Sequence, residues 1–428
     1  MCRQLLPFLL LLYALPWAAQ ASPRYRFSGT FDLEYAEHTT SPIDPASEHA
    51  QVDLVQKAEW NPHWTGILSG RGWVENICGN SGYCPAQVRK DDGYDIRFQD
   101  TYLQFKNDDW IVRVGNQQVV WGETFGTFIA DVVNPKDLRY GYPMDLSRTE
   151  LSTPMANVKY LAGSFSLQGL YIVQPQFNLL PQPGTDYGPS PQVPGFSGVV
   201  INREKSLPIG NGEFGARATE SLGGADISIF GLSYYDRNPY YTLNTASVIN
   251  KTLFVDENHA RVGSGGAALA WAVGKTGYMI RAESLYTHNR VVSYLDNSFN
   301  ITNLVTDEIA GAVSLEFPAW HRLNYAVQYS DSHLRDWANY LTRDEQDESY
   351  LTVRASLGLF ESSTWDTIVT VGVADAGWRI QSEFQTPVNQ FSEIHFGTEI
   401  YTGDSISDFG LLHRTSRVYV MLKGFFHG

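Results

Sequence analysis

The sequence predicts an all-β protein, a transmembrane antiparallel β-barrel of about 18 strands, with 16 as the alternative count. Three observations carry this reading. Apolar and polar residues alternate with period two in one segment after another. Tight turns alternate with long loops along the chain. Aromatic residues gather where strands meet the tight turns, as they do where side chains sit at a membrane–water interface.

Residues 1–21 read as a secretory signal. They hold one early cation, Arg3, an apolar run from Leu5 to Ala19, and the small-x-small close Ala19-Gln20-Ala21. Residues 22–428 then read as a single outer-membrane barrel domain that starts directly after the signal and leaves no room for an N-terminal plug. No later stretch reaches the about 18 consecutive apolar residues of a membrane helix. With 31 Lys+Arg against 46 Asp+Glu the net charge is −15, and loss of Arg3 makes it −16. An acidic chain argues against a nucleic-acid partner, which wants a basic face.

The first strand sets the code. Tyr25, Phe27, Gly29, Phe31, Leu33 and Tyr35 share one face, while Arg26, Ser28, Thr30, Asp32 and Glu34 share the other. The code returns at 322–329, 351–357 and 417–423. A soluble sandwich core cannot hold charged residues at alternate positions of strand after strand, whereas a water-filled lumen can. Predicted lumen positions carry both signs, Arg26, Lys57, Arg71, Arg113, Arg281, Arg322, Arg354 and Arg379 against Asp32, Glu34, Asp53, Glu59, Glu75, Glu283, Glu316 and Glu383. Tight turns are expected at Asn61-Pro62-His63, Asn107-Asp108-Asp109, Ala162-Gly163-Ser164, Leu222-Gly223-Gly224, Gly274-Lys275-Thr276, Pro318-Ala319 and Ser362-Ser363. Trp60 and Trp64, Phe105 and Trp110, Phe317 and Trp320, and Phe360 and Trp365 flank four of them. Long loops are expected near 37–49, 76–93, 120–153, 175–211, 236–257, 288–305, 334–348 and 403–412.

In the second of these loops stand Cys78 and Cys84, the two thiols that survive loss of Cys2. Across Gly-Asn-Ser-Gly in an exported chain they are expected to form a small extracellular disulfide. A metal site would need two further ligands, so no metal and no cofactor is expected.

The stretch Arg113-Val114-Gly115-Asn116-Gln117, then Trp121-Gly122-Glu123, then Asn134-Pro135-Lys136-Asp137 resembles a pattern in a poorly characterised family of proteobacterial outer-membrane porin-like proteins. More distantly it is similar to alginate-export and substrate-selective porins. The resemblance covers residues 100 to 160 and implies an outer-membrane channel without naming its cargo. Asn116 stands where many relatives carry a second Arg.

Physically, Arg113 faces the lumen because Val112 and Val114 face lipid. Gly115 permits a bend or close approach. The third external loop, about 120 to 153, is too apolar for a solvated loop, so it is expected to fold into the lumen and narrow it. Phe125, Phe128, Ile129 and Val132 have helical spacing and suggest a short helix on the inner wall. The candidate constriction residues are Arg113, Gln117, Gln118, Trp121, Glu123, Asp131, Asn134, Asp137, Arg139 and Arg148, with the loop carboxylates opposing wall cations such as Arg113.

Neither G-x-S-x-G nor H-E-x-x-H occurs. The sequence therefore reads as a passive channel and not an enzyme, with an outer-membrane lipid hydrolase as the alternative and a structural or adhesive barrel third. The partners implied are outer-membrane lipids and a small solute of unnamed identity. Further copies of the chain or an inner-membrane transport system are left open as additional ones.

Overall fold

The computed structural model describes residues 23–40, 45–76, 86–127, 129–141, 143–144, 149–188, 198–249, 252–295, 301–337, 346–360, 362–405 and 407–428. The signal segment 1–21, Cys78, Cys84, Phe128 and Arg148 lie outside the described residues.

Alternation of apolar and polar residues produces 21 strands among the described residues. They are β1 (Arg24–His38), β2 (Pro45–Glu59), β3 (Trp64–Glu75), β4 (Tyr94–Lys106), β5 (Trp110–Gln117), β6 (Thr153–Ala162), β7 (Phe165–Ile172), β8 (Gly198–Asn202), β9 (Glu213–Leu222), β10 (Ala225–Tyr235) and β11 (Tyr240–Ile249). They continue as β12 (Thr252–Asn258), β13 (Arg261–Ala272), β14 (Met279–Leu295), β15 (Ile301–Glu316), β16 (Leu323–Leu334), β17 (Asp347–Leu359), β18 (Ser363–Gly372), β19 (Trp378–Asn389), β20 (Ser392–Thr402) and β21 (Arg417–His427).

Eighteen of these strands form one sheet. Each pairs antiparallel with the next around the ring, with β8, β11 and β12 left out, so that β7 meets β9 and β10 meets β13. The ring closes where β21 lies antiparallel to β1, from Ser28 opposite His427 to His38 opposite Arg417. A closed ring has no unpaired edge, the condition for strands to cross lipid. The strand count agrees with the larger of the two expected.

The outward face is apolar, with Leu33, Val52, Val114, Ile229 and Val313 among its exposed side chains. At the tight-turn end, rings pair up: Trp64 with Phe105 at 5.2 Å, Trp110 with Tyr160 at 4.8 Å and Phe317 with Tyr325 at 4.5 Å. These are the expected aromatic girdle.

The long loops hold more structure than the sequence suggested. The segments read as loops at 175–211 and 236–257 contain β8, β11 and β12, which form a small separate sheet with β12 parallel to β8 and antiparallel to β11. The segment read as a loop at 288–305 is mostly strand, because β14 runs on to Leu295 and β15 starts at Ile301. An irregularity between Thr287 and Arg290, with Asn289 at φ 62°, breaks the period-two pattern there and hides the continuation. In the second long loop a short helix, α1 (Ala86–Asp92), precedes β4.

Inside the ring lies an apolar core, an arrangement foreign to an open pore. Leu170, Ile172, Phe230, Leu232, Tyr234 and Leu285 point inward from β7, β10 and β14. They meet Val119, Trp121, Ile129, Ala130 and Val133 of the third long loop.

Candidate functional site

The described residues of 118–152 leave the end of β5 and cross the lumen, and several turns of that path have a cause in the sequence. At Gly115, φ is +135°, and an added Cβ would stand 2.3 Å from the Thr101 carbonyl, so only glycine lets β5 lie this close to β4. Gln117 is buried, donating from Nε2 to the Met155 carbonyl at 3.1 Å and accepting from Asn157 Nδ2 at 3.1 Å. Asn134 clamps the two ends of the loop together. Its Oδ1 accepts from the Val119 amide at 2.7 Å, and its Nδ2 donates to the carbonyls of Gln117 and Leu151 at 3.1 and 2.7 Å. The Gln118 amide donates to Asp100 Oδ1 at 3.0 Å, and its side chain donates to the Glu150 carbonyl at 2.9 Å.

Trp121 is fully buried, with its indole N–H donating to Gln168 at 3.0 Å and its ring 5.3 Å from Phe230. Gly215 leaves the space for that ring, since a Cβ there would come within 2.9 Å of it. The tip then reaches the far wall. The Phe125 amide donates to Gln328 Oε1 at 2.9 Å, and Gln328 Nε2 donates to Thr127 Oγ1 at 2.9 Å. Thr124 and the Ala130 amide both donate to Glu283. Gly126 lies against Thr352 of β17, nine strands round from β5 in the ring of eighteen. The loop therefore spans the lumen from side to side.

The tip is not helical. Among the described residues of 118–135 there is no helix, and Gly126 takes φ +82° where a helix would need a negative value. Helical spacing misled here because the apolar side chains are sorted by their walls, with Ile129 and Val133 turned to the inner core. The opposition expected between the loop carboxylates and Arg113 also differs. Arg113 donates to Gln104 at 2.8 Å and lies over Tyr102, whereas Glu123 meets Arg217 at 2.9 Å and Arg281 at 3.5 Å. Those two arginines stand on β9 and β14, the strands the loop packs on, while Arg113 stands on the strand it leaves.

On its return the loop carries two charge clusters. Lys136 is buried between Asp131 at 2.7 Å and Glu150 at 2.6 Å. Asp137 receives Arg97 at 2.5 Å and Arg139 at 2.7 Å. Burial works against its charge, yet the two guanidiniums hold the Asp137 carboxyl well below the ordinary range. Arg139, itself buried, also donates to the Asp91 carbonyl at 2.6 Å and lies 4.6 Å over the Trp73 ring.

With one side of the lumen filled, a cavity of about 290 Å³ lies along β1–β4 and β19–β21. Of the constriction residues expected from sequence, Asp137 and Arg139 line it; Gln117, Trp121 and Asn134 are anchors, and Asp131 belongs to the lysine cluster. The charged groups described on its wall lie in clusters in which acids outnumber lysines and arginines. Arg417 bridges Glu34 at 2.9 Å and Glu399 at 3.1 Å, Arg71 meets Asp53 at 2.6 Å, and His49 meets Glu75 at 2.8 Å. His395 lies between Glu383 and Glu393, each at 3.0 Å, Lys423 is 3.6 Å from Glu393, and Asp92 holds Arg203 at 3.0 Å.

The chain matches, over residues 24–389, the family described as a protein of unknown function, DUF1302. It belongs to that family. No curated protein matches it. The fold of this DUF1302 chain is similar to OccAB1 of Acinetobacter baumannii, at 10% identity and TM-score 0.56, with 96% of this chain and 98% of that one covered. OccAB4 of the same organism gives 10% identity and 0.54 over 96% and 99% of the two chains. The outer membrane protein opdK of Pseudomonas aeruginosa gives 9% identity and 0.52 over 95% and 99%.

Sequence reasoning missed a second inward segment of the DUF1302 barrel. In the loop after β7, Gln182 is fully buried, accepting from the Ile201 amide at 3.1 Å while its own amide donates to Asp92 at 2.9 Å. Beyond it Tyr187 donates to Glu399 at 2.8 Å and Asp186 meets His38 at 3.1 Å, which carries the loop over to β20 and β1. Residues 181–188 are rich in Pro and Gly, so neither period two nor helical periodicity could mark them. Tyr187 within this polar run was the available signal.

Proposed function

We infer that this chain is a porin-like channel of the bacterial outer membrane, passing small solutes passively through a lumen narrowed by its third external loop. One observation carries the reading: residues 118–152 span the ring, from Asn134 beside β5 to Gln328 on β16, and the space left beside them is lined by polar and charged side chains. A rigid loop that narrows a closed barrel to a small polar cavity selects solutes by size and lining. The similarity to opdK, an outer membrane protein, supports the location, as does the apolar outer face with its aromatic girdle. The signal read at residues 1–21 supports export.

The test is conductance of the purified chain in planar bilayers. Discrete ohmic steps are expected. A protein that inserts and hydrolyses phospholipid without conducting would overturn the reading in favour of a barrel enzyme.

A further inference from the structure

Charge is spread unevenly over the cavity wall. On the side of β2–β4, α1 and the returning third loop, Glu75, Asp92 and Asp137 stand against Arg71, Arg97 and Arg139. On the side of β1, β19–β21 and the second inward segment, Glu34, Asp186, Glu383 and Glu399 stand against Arg417 and Lys423. Among the described residues the first side is even, and the second holds four acids against two cations.

Three of these acids face histidines: Glu75 meets His49 at 2.8 Å, Asp186 meets His38 at 3.1 Å and Glu383 meets His395 at 3.0 Å. An imidazole balances a carboxylate only when protonated, so the acid excess is largest on the alkaline side of the histidine range. The cations are also held by more than the lining. Arg417 is shared by Glu34 and Glu399, and two acids outside the lining reach Arg71 and Lys423, Asp53 at 2.6 Å and Glu393 at 3.6 Å, whereas Arg203 answers Asp92. A cavity with low-dielectric walls focuses the field of such an excess and draws in ions of the opposite sign.

Trp73, Pro143, Met144 and Met421 give the same wall apolar surface. A hydrated metal ion gains nothing from it, whereas the alkyl part of an organic ammonium ion leaves water there. The cavity, about 290 Å³, is at the small end of ligand sites, which start at about 300 Å³.

We propose that the cavity passes small organic cations, ammonium ions with a short apolar part, in preference to anions, and that the wall of β1 and β19–β21 sets this preference. The proposal rests on the channel reading and adds the class of solute to it.

The full chain would be placed in planar bilayers at pH 8 with a choline chloride gradient across them. The reversal potential is expected on the choline side of zero, corresponding to a several-fold permeability of choline over chloride. Glu383→Gln and Asp186→Asn keep the side-chain shapes and each remove one acid from the second wall. The double variant then holds five acids against five cations in the lining, and should still conduct but lose most of the preference. Glu220→Gln, at the tight-turn end of β9 and outside the cavity lining, should leave the preference unchanged. A parent potential at zero or on the chloride side, or a double variant as selective as the parent, would overturn the inference and leave the channel intact. Loss of preference in Glu220→Gln as large as in the double variant would do the same, by assigning it to the net charge of the chain. A chain that carries no current would end the channel reading, and this inference with it.

Discussion

The amide of Phe125 donates to Gln328 Oε1 at 2.9 Å, although the two residues are 203 apart in sequence and the loop that carries Phe125 leaves the ring at β5, across the barrel from β16. That single bond pins the tip of the third loop to the far wall. Gln328 is itself 1% exposed and returns a bond to Thr127, so the amide holds the tip twice. A loop fixed at both walls behaves as part of the wall rather than as a mobile lid.

Replacing residues 123–130 by a short Gly-Ser link, with Asn134 and its clamp kept, should raise single-channel conductance several-fold. The milder Gln328→Ala should leave mean conductance close to that of the parent and add flicker between levels, because the tip loses its two bonds while the apolar core still holds the loop. Both are read in planar bilayers, with a correctly folded barrel confirmed by circular dichroism. Unchanged conductance in the folded loop replacement would show that residues 123–130 do not obstruct the pore.

The seam where β21 meets β1 is clasped by two reciprocal pairs. Gly29 lies opposite Phe426 and Phe31 lies opposite Gly424, with each ring laid over the facing glycine. A Cβ on Gly29 would stand 2.3 Å from the Phe426 ring and 2.6 Å from the Asp53 carbonyl. Gly29→Val should therefore destabilise closure by about 1–3 kcal/mol through overpacking. Phe426→Ala should cost less, because it removes cover without pushing the backbone. Urea midpoints in detergent compare the two, and a midpoint for Gly29→Val equal to the parent's would refute the clasp.

Cys78 and Cys84 are proposed to be bridged in the exported protein, on the strength of two thiols across a Gly-rich stretch. Mass spectrometry of non-reduced peptides from membrane-purified protein should find them joined, and two free thiols would end the idea. Reduction should barely change unfolding of the barrel, since the loop such a bridge would close is short.

The barrel was legible because lipid outside and water inside impose a period of two that no other environment imposes for so long. Leu323, Tyr325 and Val327 alternating with Asn324 and Gln328 place β16 from sequence alone. The inward loop was legible for the same reason in reverse, since Trp121 and Ile129 could not remain in solvent. Its conformation was not legible. Which apolar residue meets which wall depends on partners such as Phe230 and Leu285, more than a hundred residues away in sequence. The cavity wall was half legible: Glu34 and Arg71 could be assigned to the lumen by alternation, but their matching depends on register between strands. Arg417 reaching Glu34 joins the two ends of the chain and exists only once the ring is closed.

The cluster of Asp131, Lys136 and Glu150 should make the inward loop sensitive to alkali. Burial, and then the neighbouring Asp131, push the Glu150 carboxyl from an ordinary 4.5 up to about 9, with Lys136 pulling the other way. That shift favours the protonated form of Glu150 at neutral pH. The folded value lies above the unfolded one, so the contribution of Glu150 is fully present below about 4.5. It declines as pH rises through neutrality and is lost above about 9. Raising the pH to 10 should then place a second negative charge in a buried site, loosen the return limb of the loop, and increase conductance reversibly. Glu150→Gln keeps the shape and cannot ionise, so its conductance should stay flat over the same range. Lys136→Met removes the cation altogether and leaves the two acids facing each other, which should cost about 3–5 kcal/mol, the penalty for breaking a buried pair from one side. A conductance that rises with pH in Glu150→Gln as steeply as in the parent would assign the alkaline response to another group.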